Sequence, residues 1–266
     1  MPSSVYHYTS LQGLLGIIQP KKLEFHGSRY DSLNDPLDCT FAKQIVLPKI
    51  LAELEKDKKL SEKEKEYVEL FPYIVCFSEN YDDENMWKHY GSQICLELDN
   101  NIIKTFYEYP FHNDFIHYNK CVYCNEDELD KTFLSKCEHL NFDFDNIPVT
   151  AQIAMGFIKR DAFKRENEWR IICFDAMGFT SSNDEKDYCS FTDCEIPNDV
   201  FSYIRGKDIV LYKKICLPQK ALKGIIINET DPTHYIITKN HINLILTQNI
   251  YPIEKIYVRQ SKRYPL

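Results

Sequence analysis

With 266 residues, 44% of them hydrophobic and 27% charged, the chain has the makeup of a globular protein long enough to bury a sizeable core. A net charge of −8 argues against general duplex-DNA binding, because only Lys213, Lys214 and the tail residues Arg259, Lys262 and Arg263 cluster positive charge. No basic region leads into an apolar run near Met1, and no stretch approaches the ~20 apolar residues of a membrane helix. The expectation is a cytoplasmic protein with no membrane partner, whose ten scattered cysteines are free thiols.

In chain order, Thr9 or Ser10 caps a short helix with Leu11, Leu14, Leu15, Ile17 and Ile18 facing inward, ended by Gln19-Pro20. Residues 22–25 read as a short strand before a polar stretch from Gly27 to Pro36. Residues 41–70 are helical in pattern and strongly charged, the signature of a solvated helical insertion. Strands are expected at 72–78 and 93–98, and the acidic run Asp82-Asp83-Glu84 opens a helix carrying Met86, Trp87 and Tyr90 between them. A strand at 115–123, helices at 127–140 and 149–160, and a strand at 169–174 follow. An acidic surface loop at 181–195 precedes strands at 208–217 and 223–228, an amphipathic helix from Asp231 through Gln248 and a strand at 253–258. The pattern predicts one α+β domain over residues 1–266, with a sheet and helices packed against it.

Several clusters could carry chemistry, and most also have an ordinary structural reading. His7, in the extended segment Tyr6-His7-Tyr8-Thr9, could hydrogen-bond ribose hydroxyls or a carboxamide, or be satisfied by neighbouring backbone. Asn34-Asp35-Pro36 could fold over a ligand, or merely shape a turn. Ser78 ends a strand and could offer its hydroxyl to a ligand, while Trp87 and Tyr90 share a helix face and could stack on a planar ring or pack a core.

Glu166 and Glu168 have strand alternation, which directs both carboxylates to one side of a sheet, with Arg170 continuing that face. Such a pair can stabilise the oxocarbenium-like state of N-glycosidic bond cleavage, and Arg170 can equally complete a structural ion network. Cys121 and Cys124, with Cys137 and His139, allow a zinc reading, although the spacing is unusual. Neither a GxGxxG run nor a P-loop is present.

Tyr6-His7-Tyr8-Thr9-Ser10, Leu33-Asn34-Asp35-Pro36, Cys76-Phe77-Ser78-Glu79, Met86-Trp87-x-x-Tyr90-Gly91 and Asn167-Glu168-Trp169-Arg170 together resemble the bacterial family known as domain of unknown function 2971. The order of histidine, aromatic residue and glutamate also resembles, more weakly, the His-Tyr-Glu pattern of ADP-ribosyltransferases. That resemblance implies a split mixed or antiparallel sheet with flanking helices, clamping NAD as substrate. It implies that His7 holds the adenosine-side ribose, with Tyr8 and Thr9 also in the cofactor site, that Tyr90 or Trp87 stacks on nicotinamide, and that Glu168 is the catalytic carboxylate with Glu166 orienting an acceptor. Arg170 or Arg29 would contact phosphate. It further implies transfer of ADP-ribose to a protein, a nucleic acid or water, in the manner of a bacterial toxin or anti-phage effector. Two other readings stay open: a nucleotide-binding module without catalysis, and a metal-dependent nuclease or hydrolase using Asp35, Glu166 and Glu168.

Overall fold

The computed structural model describes residues 2–33, 72–90, 93–107, 116–126, 153–174 and 199–262, with single positions at 41, 44, 48, 52 and 140. Asn34, Asp35, Cys137, His139 and the acidic stretch 181–195 lie outside the described residues. So do the expected helices at 41–70 and 127–140, single positions apart.

Strand β1 (Ser4–Thr9) runs into helix α1 (Leu11–Ile17), whose N-cap Ser10 accepts a hydrogen bond from the Gly13 amide at 3.0 Å. Leu14 and Ile17 are buried as expected, but Leu15 is 47% exposed, because a seven-residue helix can turn only one face inward. The two-residue β2 (Ile18–Gln19) turns back into β3 (Lys22–Arg29). This strand is twice the expected length, since β11 (Asp208–Pro218) pairs with all of Lys22–Ser28 and draws the polar residues Gly27 and Ser28 into the ladder.

Strands β4 (Tyr73–Ser78) and β5 (Ile94–Asp99) fall where the apolar runs place them, with α2 (Glu84–Tyr90) between. The Asp83 carboxylate caps α2 by accepting from the Asn85 and Met86 amides. Helix α3 (Asn100–Tyr107), unforeseen in the sequence, is capped in the same way by Asp99. The expected strand at 115–123 breaks at Cys121 into β6 (Ile116–Lys120) and β7 (Val122–Cys124). In place of a helix throughout 149–160, residues 153–157 are helical and Ile158–Arg160 form β8, which pairs in parallel with β7.

Beyond β9 (Glu168–Cys173) come the unforeseen β10 (Phe201–Arg205), then β12 (Leu222–Ile227) and the long helix α4 (Pro232–Gln248), capped by Asp231. Helix α4 buries Tyr235, Thr238, Ile242 and Leu246 yet also exposes Ile236, Ile237 and Leu244, so it is apolar on more than one side. The final strand β13 is Tyr257–Gln260, later than expected, because residues 253–255 form a 3-10 turn.

Among the described residues, eleven strands form one open sheet along β10-β11-β3-β4-β1-β5-β12-β13, with β2 on β3, β9 on β4 and β6 on β9. Pairing within this sheet is antiparallel except for β12 with β13, so the arrangement is a mixed α+β sheet. Strand β4 is the branching point. Strand β9 pairs along its whole length, so β3 and β1 must share its other side: β3 takes Tyr73 and Ile74, and β1 takes Ser78. Between those contacts the sheet parts along Val75–Phe77.

The two faces differ in composition. Tyr73, Val75, Phe77, Trp169 and Ile171 join the main core with Leu14 of α1, Ile103 and Tyr107 of α3, and Ile242 and Leu246 of α4. The alternate residues Cys76, Ser78, Glu168 and Arg170 project to the opposite face. There a smaller cluster of Tyr8, Met86, Trp87, Cys95 and Ile226 seats α2.

Candidate functional site

Where the sheet parts, a cleft of about 360 Å³ opens between β1, β3, β4 and the 159–170 segment, walled further by α2 and β10. Of the residues singled out in the sequence, it brings together His7, Tyr8, Thr9, Ser78, Tyr90, Glu166, Glu168 and Arg170.

Its floor is an ion cluster. The Lys159 ammonium lies 2.9 Å from Glu166 Oε2 and 2.5 Å from Glu168 Oε2. Arg170 Nε donates to Glu168 Oε1 at 2.7 Å, and its Nη1 donates to the Gly156 carbonyl at 2.7 Å. Lys159, Glu168 and Arg170 are all buried, at 4%, 3% and 1% exposure. Ions so deeply placed persist only when mutually compensated, and two cations here face two carboxylates.

Local chain geometry builds the cluster. The sequence expectation that strand alternation aligns Glu166 with Glu168 fails in its cause: Glu166 ends a 3-10 turn (Asp161–Glu166), and Asn167 adopts a left-handed conformation before β9 begins. The carboxylates converge because β8 carries Lys159 beneath both. Ser78 braces this bend, donating to the Glu166 carbonyl at 2.5 Å and accepting from the Asn80 amide at 3.0 Å. Gly156 permits the close approach of the 153–157 helical turn to β9, since a Cβ there would lie 2.7 Å from Ile172 Cγ2.

The two carboxylates differ in character. Burial works against the charge on Glu168, but the Arg170 guanidinium and the Lys159 ammonium outweigh it and hold the carboxyl down at about 2. Glu166 is displaced the other way: burial raises its proton affinity, the Glu168 charge adds to that, and Lys159 offsets only part. Beside them burial, and then the charges of Glu168 and Glu166, push up the Tyr90 phenol, and burial with the Glu168 charge pushes up the Cys76 thiol. Cys76 is therefore a thiol rather than a nucleophilic thiolate.

At the other side of the opening, His7 Nδ1 donates to the Cys76 carbonyl at 2.9 Å, in the stretch of β4 that neither β1 nor β3 pairs. Its ring lies against Phe25 and Phe77, with centroids 5.1 and 5.7 Å away. Burial lowers its proton affinity, so the neutral ring carries its proton on Nδ1 and Nε2 is an acceptor. Tyr8 donates to the Asn80 carbonyl at 2.7 Å and accepts from the Asp83 amide at 3.0 Å, which fixes the loop leading into α2.

Trp87 does not reach the cleft as a stacking platform. It is 2% exposed, packs edge-on against Tyr8 at 4.8 Å and donates from Nε1 to Asp82 Oδ1 at 2.9 Å. That leaves Tyr90 as the ring of α2 that lines the opening. Nor do the arginines suggested for phosphate stand as the sequence implies, for Arg29 pairs with Asp31 at 2.6 Å and Arg170 with Glu168.

Sequence reasoning missed Lys159, concealed in a segment read as helix, together with His26, Tyr203 and Arg205 of the far wall. A lysine directly after the apolar run Ile153–Ile158 was the available signal for the first. Cys121 and Cys124 are buried thiols, with Cys124 Sγ 3.9 Å from the Lys159 carbonyl oxygen. Among the described residues no group of three or more His, Cys, Asp and Glu side chains is arranged to hold a metal, and no helix is long and apolar enough to cross a membrane.

No curated protein and no solved structure matches the chain. A family does match, over the segment that supplies Tyr90, Lys159, Glu166, Glu168 and Arg170 but not His7 or Ser78. That segment, residues 86–171, is similar to the family described as "Protein of unknown function (DUF2971)".

Proposed function

We propose that the cleft binds NAD and cleaves its nicotinamide–ribose bond, passing ADP-ribose to a macromolecular acceptor or to water. The observation that carries this reading is the meeting of Glu166, Glu168 and Tyr90 in one cleft at the parting of the sheet. Nicotinamide leaves with the bonding electron pair, and positive charge develops at the ribose C1′. Glu168, ionised well below neutral pH and held rigidly by Arg170 and Lys159, supplies a negative charge fixed before the ligand arrives. Glu166, with raised proton affinity, takes the proton from the attacking water or acceptor. Tyr90 stacks on the nicotinamide ring, and His7 Nε2 accepts from a ribose hydroxyl. Arg170 acts as a positioning residue for Glu168 rather than as a phosphate ligand.

A binding module without turnover is the second reading, and one observation favours it: both oxygens of Glu168 already have cationic partners. The hydrolase reading has Lys159 Nζ in the position between Glu166 and Glu168 that a shared metal ion would need; its third carboxylate, Asp35, lies outside the described residues.

The test is mass-spectrometric detection of nicotinamide released from NAD, with EDTA present and cell lysate as a source of acceptors. Wild type is expected to release it, Glu168→Gln to lose release, and Glu166→Gln to fall by roughly 10²–10⁴-fold. Circular dichroism establishes that each variant is folded. Full release by folded Glu168→Gln overturns its role. Stabilisation by NAD without release in wild type favours the binding module.

A further inference from the structure

We propose that Asp82 latches the α2 wall of the cleft to the end of β13, and that this latch places Tyr90; the catalytic part of the inference rests on reading Tyr90 as the ring that stacks on nicotinamide. The Asp82 carboxylate joins two separate parts of the fold. Its Oδ1 accepts from Trp87 Nε1 of α2 at 2.9 Å and from the Ser261 hydroxyl at 2.5 Å, and its Oδ2 accepts from the Lys262 amide at 2.6 Å.

Ser261 is the anchored side of the latch. It is 1% exposed, and its amide donates to the Ile227 carbonyl at 2.9 Å, which continues the parallel pairing of β12 with β13. The loop is fastened beside it as well, since the Arg259 guanidinium and the Lys262 ammonium stand over the Tyr81 ring at 4.7 and 5.5 Å. Asp82 itself is left-handed, with φ of 50°, a conformation that aspartate and asparagine tolerate better than most residues.

Helix α2 is the held side. With seven residues it is too short to be stable alone, so its placement depends on what grips it. Trp87 packs edge-on against Tyr8 at 4.8 Å while Asp82 holds its indole N–H, and together these contacts fix the rotation of the helix about its axis. Tyr90 follows Trp87 by three residues and turns with it into the cleft. Asp82, Trp87 and Ser261 line no part of the cleft, so an effect of Asp82 on a ligand has to pass through α2. Asp82 is therefore a positioning residue for Tyr90.

Hydrogen–deuterium exchange of the full chain, together with KM and kcat for nicotinamide release, tests this. Asp82→Asn keeps a residue suited to the left-handed backbone and keeps one acceptor oxygen, but loses the charge and the second oxygen. It is expected to speed exchange in α2 by roughly tenfold, as loss of a hydrogen bond to a carboxylate should, and to leave β4 and β9 unchanged. KM for NAD is expected to rise by roughly fivefold or more, part of what one stacked ring contributes, with kcat little changed. Ser261→Ala is expected to act in the same direction more weakly. In a Tyr90→Ala background, Asp82→Asn should raise KM no further. Unchanged exchange in α2 overturns the latch, and so does exchange that rises equally throughout the chain. Faster exchange in α2 with KM unchanged overturns the placement of Tyr90 and leaves the latch standing. Absence of nicotinamide release by wild type overturns the NAD reading, and exchange in α2 still decides the latch.

Discussion

Lys159, Glu166, Glu168 and Arg170 bond one another beneath the surface at one end of the cleft, whereas His26 and Tyr203 stand at the other end with solvent-accessible rings. The first group sits on β8, β9 and the 3-10 turn between them, and its geometry is determined by its neighbours. In the second, His26 sits on β3 and Tyr203 on β10, which pairs only with β11 among the described strands. A fixed charge in a dry setting is what stabilises a developing opposite charge without reorganisation. The aromatic wall carries no such charge: its rings stack on one another, His26 on Tyr212 at 4.0 Å and Phe201 on Tyr212 at 5.5 Å. The proposed chemistry therefore belongs at the rigid end.

The largest expected effect comes from Lys159→Met. It removes the ammonium between two carboxylates and leaves buried charge uncompensated, at a cost of about 3–5 kcal/mol. Urea denaturation measures the loss, and a cost below about 1 kcal/mol would show that the cluster behaves like a surface ion pair and would erase the contrast. The pH dependence follows from the same contacts. Glu168 has a folded value near 2, set by Arg170 and Lys159 against burial, so its contribution is present above the unfolded carboxyl range and disappears as pH falls towards 2. Glu166 has the opposite sign: its raised value means that ionising it on the way up costs stability, which partly offsets the gain. Melting temperatures between pH 6 and pH 2 are expected to fall for wild type. In Glu168→Gln that acid-side fall should be smaller, and an identical profile would mean that Glu168 does not carry the titration.

How much of this the sequence discloses depends on the range of the contacts. The apolar runs at 72–78, 93–98 and 169–174 become β4, β5 and β9 because strands buried in a sheet declare themselves by composition. Asp83 and Asp231 announce the starts of α2 and α4, since a cap acts within one turn. Strand β10 is harder to see: Phe201-Ser202-Tyr203-Ile204-Arg205 is exposed on both faces, so it lacks the alternation that identifies a half-buried strand. Lys159 is invisible for another reason. Its partners are seven and nine residues away, across a 3-10 turn and a left-handed Asn167, so they meet through the fold of the segment and not as neighbours on one helix or strand. Glu166, Glu168 and Arg170 were legible, and so was Arg170 as a partner that could offset the carboxylates; Lys159 was not, because its part depends on tertiary placement.

Gly156→Ala probes the rigid end more gently. The added Cβ would lie 2.7 Å from Ile172 Cγ2 and 3.1 Å from Ile172 Cδ1, and the same residue's carbonyl holds Arg170 Nη1. Overpacking of this kind costs about 1–3 kcal/mol. If the cluster is one mechanical unit, the variant should also lose nicotinamide release, although residue 156 lines no part of the cleft. Stability lost with release intact would separate the packing of that turn from the placement of Glu168.

The smallest expected effect is at the aromatic end. Tyr203→Ala removes a ring that is 38% exposed on β10, and such surface substitutions change stability by no more than about 0.5 kcal/mol. Its ring contacts are with Tyr212 at 5.7 Å in a T-shape and with His26 at 6.5 Å, and neither neighbour depends on it for a hydrogen bond. Denaturation should therefore leave the variant alongside wild type. A loss above about 1 kcal/mol would mean that Tyr203 is a packing residue of the β10–β11 hairpin. The far wall would then hold the fold together just as the ion cluster opposite does, and the contrast between the two ends would fail.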